Sequence, residues 1–136
     1  LDRVFLDANV LFSAAYCAEG SFCELWRRKG IQLLTSDYAV QEARRNLTGD
    51  DGSKRLEQLT ATMEIVPSCA GILPSDTVLD ANLPEKDQPI LAAAISARAT
   101  HLLTGDRRHF GNYYGKRVGG VLIQPPAQYL LKKPRP

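Results

Sequence analysis

The sequence predicts an α/β fold, a three-layer α/β/α sandwich around a mostly parallel central sheet. Short apolar runs, several rich in β-branched residues, recur at 3–6, 31–34, 65–66, 101–103 and 121–123. The stretches between most of them carry apolar residues at helical spacing, which is how parallel strands are joined. At 136 residues and 44% apolar content the chain suits one domain with its own core.

Arg3-Val4-Phe5-Leu6 is the first strand and ends at Asp7. A helical pattern follows from Asn9 to about Cys17. Ser21 is expected to N-cap a second helix from Phe22 to about Lys29, with Glu24 as capping-box partner and Gly30 as its stop. Ile31 to Leu34 is the next strand. Ser36 is a good N-cap for a helix through Asn46, whose apolar stripe is Val40, Ala43 and Leu47. Asp50-Asp51-Gly52-Ser53 reads as a turn and Lys54 to Glu64 as an amphipathic helix with Leu56 and Leu59 inward. Ile65-Val66 is a short strand stopped by Pro67, and Pro74 to Pro84 reads as loop. A helix then spans about Asp87 to Ala99, with Pro89 tolerated in its first turn. His101-Leu102-Leu103 leads as a strand into Thr104-Gly105-Asp106. Val121-Leu122-Ile123 is the last strand, and Pro125-Pro126 opens a short helix, Ala127 to Leu131. Residues 1–131 form the expected domain and 132–136 a loose tail.

Composition excludes several classes. No apolar run approaches the roughly 20 residues needed to span a bilayer, so no membrane role is expected. The opening Leu1-Asp2-Arg3 lacks the pattern of a secretion signal. Cys17, Cys23 and Cys69 form no metal-pair spacing and read as small, mostly buried thiols of a reducing, cytoplasmic compartment. Net charge is only +2, but Arg44-Arg45, Arg107-Arg108, Lys116-Arg117 and Lys132-Lys133 are local basic pairs that suit a polyanion or are simply solvated surface.

Four acids stand where ligands bind in open parallel sheets, outside the carboxyl ends of the strands. Asp7 and Asp106 each follow a strand, Asp87 opens a helix, and Glu42 lies on the helix after the second strand. Gathered carboxylates repel one another unless a cation stands between them. Mg²⁺ or Mn²⁺ fits oxygen donors and supports phosphodiester hydrolysis. Each acid also has an ordinary reading: Asp7 and Asp87 as N-caps, Glu42 as partner of Arg45, Asp106 as a turn residue.

The segment Val4-Phe5-Leu6-Asp7-Ala8-Asn9-Val10-Leu11 resembles the first motif of the PIN-domain family, a strand followed by D-x-N and an apolar pair. Ser36 to Leu47 looks like the second acidic helix, Lys86 to Ala94 is similar to the third motif, and Leu102-Leu103-Thr104-Gly105-Asp106-Arg107 to the fourth. The likeness covers nearly the whole chain. It implies a Mg²⁺- or Mn²⁺-dependent endoribonuclease, often the toxin of a VapC-type toxin–antitoxin pair, with RNA as substrate, an antitoxin as partner and a homodimer as assembly. It carries over Asp7, Glu42, Asp87 and Asp106 as metal-binding acids, and Asn9 and Thr104 as residues that orient them. Ala8 departs from the family's usual hydroxyl residue, and Val121 to Pro126 resembles a toxin branch. The alternative is a PIN module that binds RNA or a protein without catalysis.

Other chemistries fit less well. A phosphatase of the haloacid dehalogenase type needs a second acid where Asn9 stands, and neither a phosphate-binding P-loop nor a nucleophile elbow occurs. Arg107, Arg108, Lys116 and Arg117 are the candidate RNA contacts, with Tyr113-Tyr114 as a weaker one. His101 is expected to be structural, His109 to lie on the surface, with contact to phosphate beside Asp106 as its alternative, and Phe22 and Trp26 to serve a core or dimer face.

Overall fold

The computed structural model describes residues 1–17, 19–67 and 83–132. Cys69, most of the Pro74 to Pro84 loop, and residues 133–136 of the tail lie outside the described residues. No described helix is long and apolar enough to cross a membrane.

A six-stranded sheet is flanked by helices. Its strands are β1 (Asp2–Leu6), β2 (Ile31–Ser36), β3 (Glu64–Val66), β4 (His101–Leu103), β5 (Arg117–Val118) and β6 (Val121–Gln124), in the order β3-β2-β1-β4-β6-β5. Every pairing is parallel except the edge pair β5–β6. This is the expected α/β fold, a mostly parallel sheet flanked by helices. The chain starts at β1, builds outward to β2 and β3, then returns to the other side of β1 for β4. The switch point lies between β1 and β4, where Leu6 pairs with Leu103. Val4, Phe5, Leu6, Leu102 and Leu103 are fully buried there, so the strand ends that carry the acids are held by the centre of the core.

The helices are α1 (Ala8–Tyr16), α2 (Glu24–Arg27), α3 (Asp37–Asn46), α4 (Asp50–Ala61), α5 (Gln88–Ser96), α6 (Arg107–Phe110) and α7 (Pro126–Leu130). Ser36 caps α3 as expected, its Oγ accepting from Ala39 N at 3.1 Å. In α5, Ile90 through Ala94 are all buried, as suits a helix packed against β2, β4 and α3.

Several boundaries differ for identifiable reasons. Asp50–Ser53 is not a turn but the first turn of α4, where two acids favour the positive end of the helix dipole. Gly52 is there for close packing: a Cβ would meet Leu47 Cδ2 at 3.2 Å. Ser21 caps nothing through its side chain, and the expected second helix shrinks to a 3-10 turn, Ser21–Cys23, and the four residues of α2. Helix α5 ends at Ser96, short of Ala99. Arg98 adopts a left-handed φ of 57°, and Ala99 N bonds Ala94 O while Arg98 N bonds Ile95 O, a Schellman stop.

Helix α6 and strand β5 have no counterpart in the sequence reading. Strand β5 is joined to β6 by Gly119-Gly120, both at positive φ, which is the conformation a two-residue hairpin demands. Cys17 is exposed, whereas Cys23 is buried as expected. At the start of the expected tail, Lys132 Nζ lies 3.4 Å from Asp2 Oδ2 and over the Tyr129 ring.

Candidate metal centre

The carboxyl ends of β1 and β4 deliver the first residues of the site. Asp7 N still bonds Leu103 O at 3.1 Å, so the ladder runs one residue past each strand. Asp7 is 4% exposed and its carboxylate is fully engaged. Its Oδ1 accepts from Ala8 N at 2.7 Å, making Asp7 the N-cap of α1. Its Oδ2 accepts from Thr104 Oγ1 at 2.8 Å and Asn9 Nδ2 at 3.2 Å. Burial, with Asp87 and Glu42 nearby, pushes the Asp7 carboxyl up to about 6 despite these bonds.

Thr104 is the hub. Besides donating to Asp7, its fully buried hydroxyl accepts from Asp106 N at 3.1 Å, and Asn9 Nδ2 lies 3.3 Å away. Asn9 Oδ1 accepts from Gly105 N at 2.8 Å; a Cβ on Gly105 would sit 3.3 Å from that oxygen. Tyr114 Oη closes the set from behind by donating to Thr104 O at 2.7 Å. The loop that presents Asp106 is thus tied to the loop that presents Asp7 by three side chains, Asp7, Asn9 and Thr104.

Asp106 N-caps α6, its Oδ1 accepting from His109 N at 3.2 Å. One turn of helix brings the His109 ring back over its own cap. His109 Nδ1 lies 2.8 Å from Asp106 Oδ2 and 2.8 Å from Asp87 Oδ2. Neither approach has hydrogen-bond geometry, and Asp87 Oδ2 and His109 Nδ1 are both buried without a partner. Asp87 ends a 3-10 turn, Glu85–Asp87, and caps nothing through its side chain. Its carboxyl is raised by burial, opposed by the His109 charge.

These atoms fit a divalent cation. Asp87, Asp106 and His109 each offer one ligand atom, all within 4.8 Å of one another. Neighbouring ligand atoms on an octahedral cation lie about 3 Å apart, given metal–ligand distances of about 2.1 Å. Buried acceptors with nothing to accept from are otherwise costly, about 1–3 kcal/mol each.

Asp87 and Asp106 also line a cleft of about 280 Å³, with Asp7, Ala8, Asn9, Phe12, Glu42, Asn46 and Lys86. All four acids singled out from the sequence therefore face one space. Glu42 reaches it from α3 and is half-buried, outside the tight cluster. It does not pair with Arg45, whose Nε bonds Gln41 O instead. Its charge and hydrogen bond help raise the Tyr38 hydroxyl, after burial.

His109 is the residue that sequence reasoning placed wrongly. Its expected surface position is overturned by the single turn of α6; the signal was its i,i+3 spacing from Asp106. Asn46 and Lys86 were also missed as lining residues. Arg107 and Arg108 are exposed beside Asp106, but Lys116-Arg117 lies elsewhere, with Arg117 opposite Leu122 and level with the start of β4. Tyr113 is core, so its ring is not open to stack on RNA, whereas Tyr114 is half-buried with its hydroxyl donated to Thr104 O. His101 is structural as expected: buried, 2.8 Å from Thr100 Oγ1, edge-on to Tyr129, with its pKa lowered by burial.

Comparison with solved structures finds the same architecture. The chain is similar to VapBC2 from Rickettsia felis, crystallised with a DNA fragment of its promoter, at 14% identity and TM-score 0.61, covering 90% of this chain and 98% of that one. It is similar to VapBC-1 from nontypeable Haemophilus influenzae at 13% identity and TM-score 0.56, covering 92% and 98%. It is also similar to VapC20 from Mycobacterium tuberculosis, described as a Sarcin-Ricin loop cleaving toxin, at 13% identity and TM-score 0.51, covering 76% and 91%. Among curated protein sequences nothing matches the chain. The sequence profile of the PIN domain matches residues 3–108, which includes all four acids, and the chain accordingly belongs to the PIN-domain family.

Proposed function

We propose that this chain is a Mg²⁺- or Mn²⁺-dependent endoribonuclease and the toxin of a VapC-type toxin–antitoxin pair. The observation that carries the reading is the pair of buried, partnerless atoms, Asp87 Oδ2 and His109 Nδ1, beside Asp106, where Asp87 and Asp106 line a cleft shared with Asp7 and Glu42. When bound, a divalent cation supplies the positive charge that in-line phosphodiester hydrolysis requires. The residues of the chain do the rest. Asp87 and Asp106 provide anionic donors, with Asp7 held behind them by Thr104, Asn9 and Ala8 N. Glu42 and Lys86 form the walls, and the Lys86 ammonium attracts the phosphate backbone. Arg107 and Arg108 extend that positive rim at the exposed start of α6.

Family membership and the toxin resemblance support RNA as the substrate, and the test offers both nucleic acids. Incubating the protein with single-stranded and structured RNA, and with matched DNA, is expected to give RNA cleavage with Mg²⁺ or Mn²⁺. Chelator or Asp106→Asn is expected to abolish it. Metal-independent cleavage, or equal cleavage by Asp106→Asn, contradicts the reading. Binding without cleavage supports a non-catalytic module instead.

The R. felis and H. influenzae neighbours are VapBC pairs, which motivates an antitoxin for this chain as well. Induction is expected to arrest growth, and a partner that covers the cleft is expected to relieve the arrest. Homodimerisation belongs to the same proposal and is read by sedimentation velocity.

A further inference from the structure

The proposed metal site contains a donor that carboxylate chemistry alone does not require. His109 Nδ1 touches both Asp87 Oδ2 and Asp106 Oδ2 at 2.8 Å and hydrogen-bonds to neither. An imidazole placed merely to pair with acids would aim its N–H along one of those contacts. This Nδ1 is instead equidistant from the two oxygens. Its place is fixed from two sides: its backbone N bonds Asp106 Oδ1, and the ring lies against Asp87, which is 8% exposed with an unpartnered Oδ2. Three donor atoms converge where no protein hydrogen satisfies Asp87 Oδ2 or His109 Nδ1.

We infer that His109 is a nitrogen ligand of the cation held by Asp87 and Asp106, and that this ligand biases the site toward Mn²⁺ over Mg²⁺. The inference rests on the metal-site reading above and adds the donor set. Mg²⁺ prefers oxygen ligands, whereas imidazole suits first-row transition metals. Replacing one oxygen by nitrogen therefore strengthens Mn²⁺ binding relative to Mg²⁺. The remaining histidine, His101, is bonded to Thr100 and packed on Tyr129, so an imidazole signal from the site has one source.

The test is electron spin-echo envelope modulation on the full chain loaded with Mn²⁺ alone, with calorimetric titration of Mn²⁺ and of Mg²⁺ alongside. The wild-type protein is expected to show modulation from a directly coordinated ¹⁴N, and His109→Gln to lose it. In His109→Gln, Mn²⁺ affinity is expected to fall about tenfold or more while Mg²⁺ affinity changes much less. Circular dichroism of the variant reports whether it folds, and the wild-type spectrum decides the question without it. Bound Mn²⁺ with no ¹⁴N modulation overturns the inference and leaves the metal site standing. So does an equal loss for both ions in a folded variant, which marks His109 as a positioning residue. No Mn²⁺ binding by the wild-type protein overturns both readings.

Discussion

The cleft has two halves built on opposite principles. At the β1–β4 switch point, the Asp7 carboxylate is satisfied by protein donors alone: Ala8 N, Asn9 Nδ2 and Thr104 Oγ1. On the wall that Asp87 and Asp106 add to the same cleft, Asp87 Oδ2 and the adjoining His109 Nδ1 are buried with no partner. The first half is a finished hydrogen-bond network that holds geometry. The second is an unfinished one, and an unfinished buried network persists only where something outside the chain completes it or where function sets its shape. Placing both on one sheet edge lets the rigid half position the other.

That contrast predicts a graded response to mutation. Asp106→Asn strikes the unfinished half and retains the α6 cap through its remaining oxygen. RNA cleavage is expected to fall on the order of 10³-fold, about 4 kcal/mol of barrier, with little change in melting temperature. An enzyme that keeps near-normal turnover breaks the comparison at its strongest point.

The electrostatics of the finished half give a pH prediction. The Asp7 carboxyl is raised to about 6 from 3.8, chiefly by burial. A carboxyl whose folded pKa exceeds its unfolded value favours the folded state fully below the unfolded pKa. That contribution is lost as pH rises through the folded pKa. The window is therefore about pH 4 to 6, and at neutral pH the loss is at most about 3 kcal/mol. Asp87, also raised by burial, acts in the same direction. Denaturant titration of chelator-treated protein is expected to show this component falling from pH 5 to 7.5, with Mn²⁺ recovering it at the higher pH. A metal-insensitive pH profile contradicts the assignment.

Thr104→Val removes the hub hydroxyl while keeping shape. Asp7 loses a donor and Asp106 N an acceptor. Stability is expected to drop about 1–3 kcal/mol and turnover about 10- to 100-fold, measured together. Glu42→Gln, outside the tight cluster, is expected to cost about tenfold in metal affinity or less. Lys86→Ala is expected to be mildest, raising KM for RNA a few-fold and flattening its salt dependence, since one exposed phosphate contact is removed.

The two halves also differ in how legible they were. Asp7, Thr104 and Asp106 follow strand ends, and position after an apolar run is readable along the chain. His109 was harder to read: its i,i+3 spacing from Asp106 was the signal, but Arg107-Arg108-His109 has the look of solvated surface. Its inward turn depends on Asp106 capping a four-residue helix and on Asp87 arriving from another element. Glu42 came from the family motif, and the cleft places it on a wall rather than in the cluster. Among the fold elements, β5 was hidden by its two-residue length, although Gly119-Gly120 between Val118 and Val121 was the hairpin signal. The start of α4 was misread because Asp-Asp-Gly-Ser has turn composition, while Gly52 in fact serves the contact with Leu47.

The most direct test of the two-halves account is Mn²⁺ anomalous scattering from crystals of the protein prepared free of other metals. The account predicts a peak in the cleft bounded by Asp87, Asp106 and His109, with the Asp7–Asn9–Thr104 hydrogen bonds intact beside it. A cleft without Mn²⁺ at saturating concentration, with Asp87 Oδ2 and His109 Nδ1 satisfied by each other or by water, would contradict it.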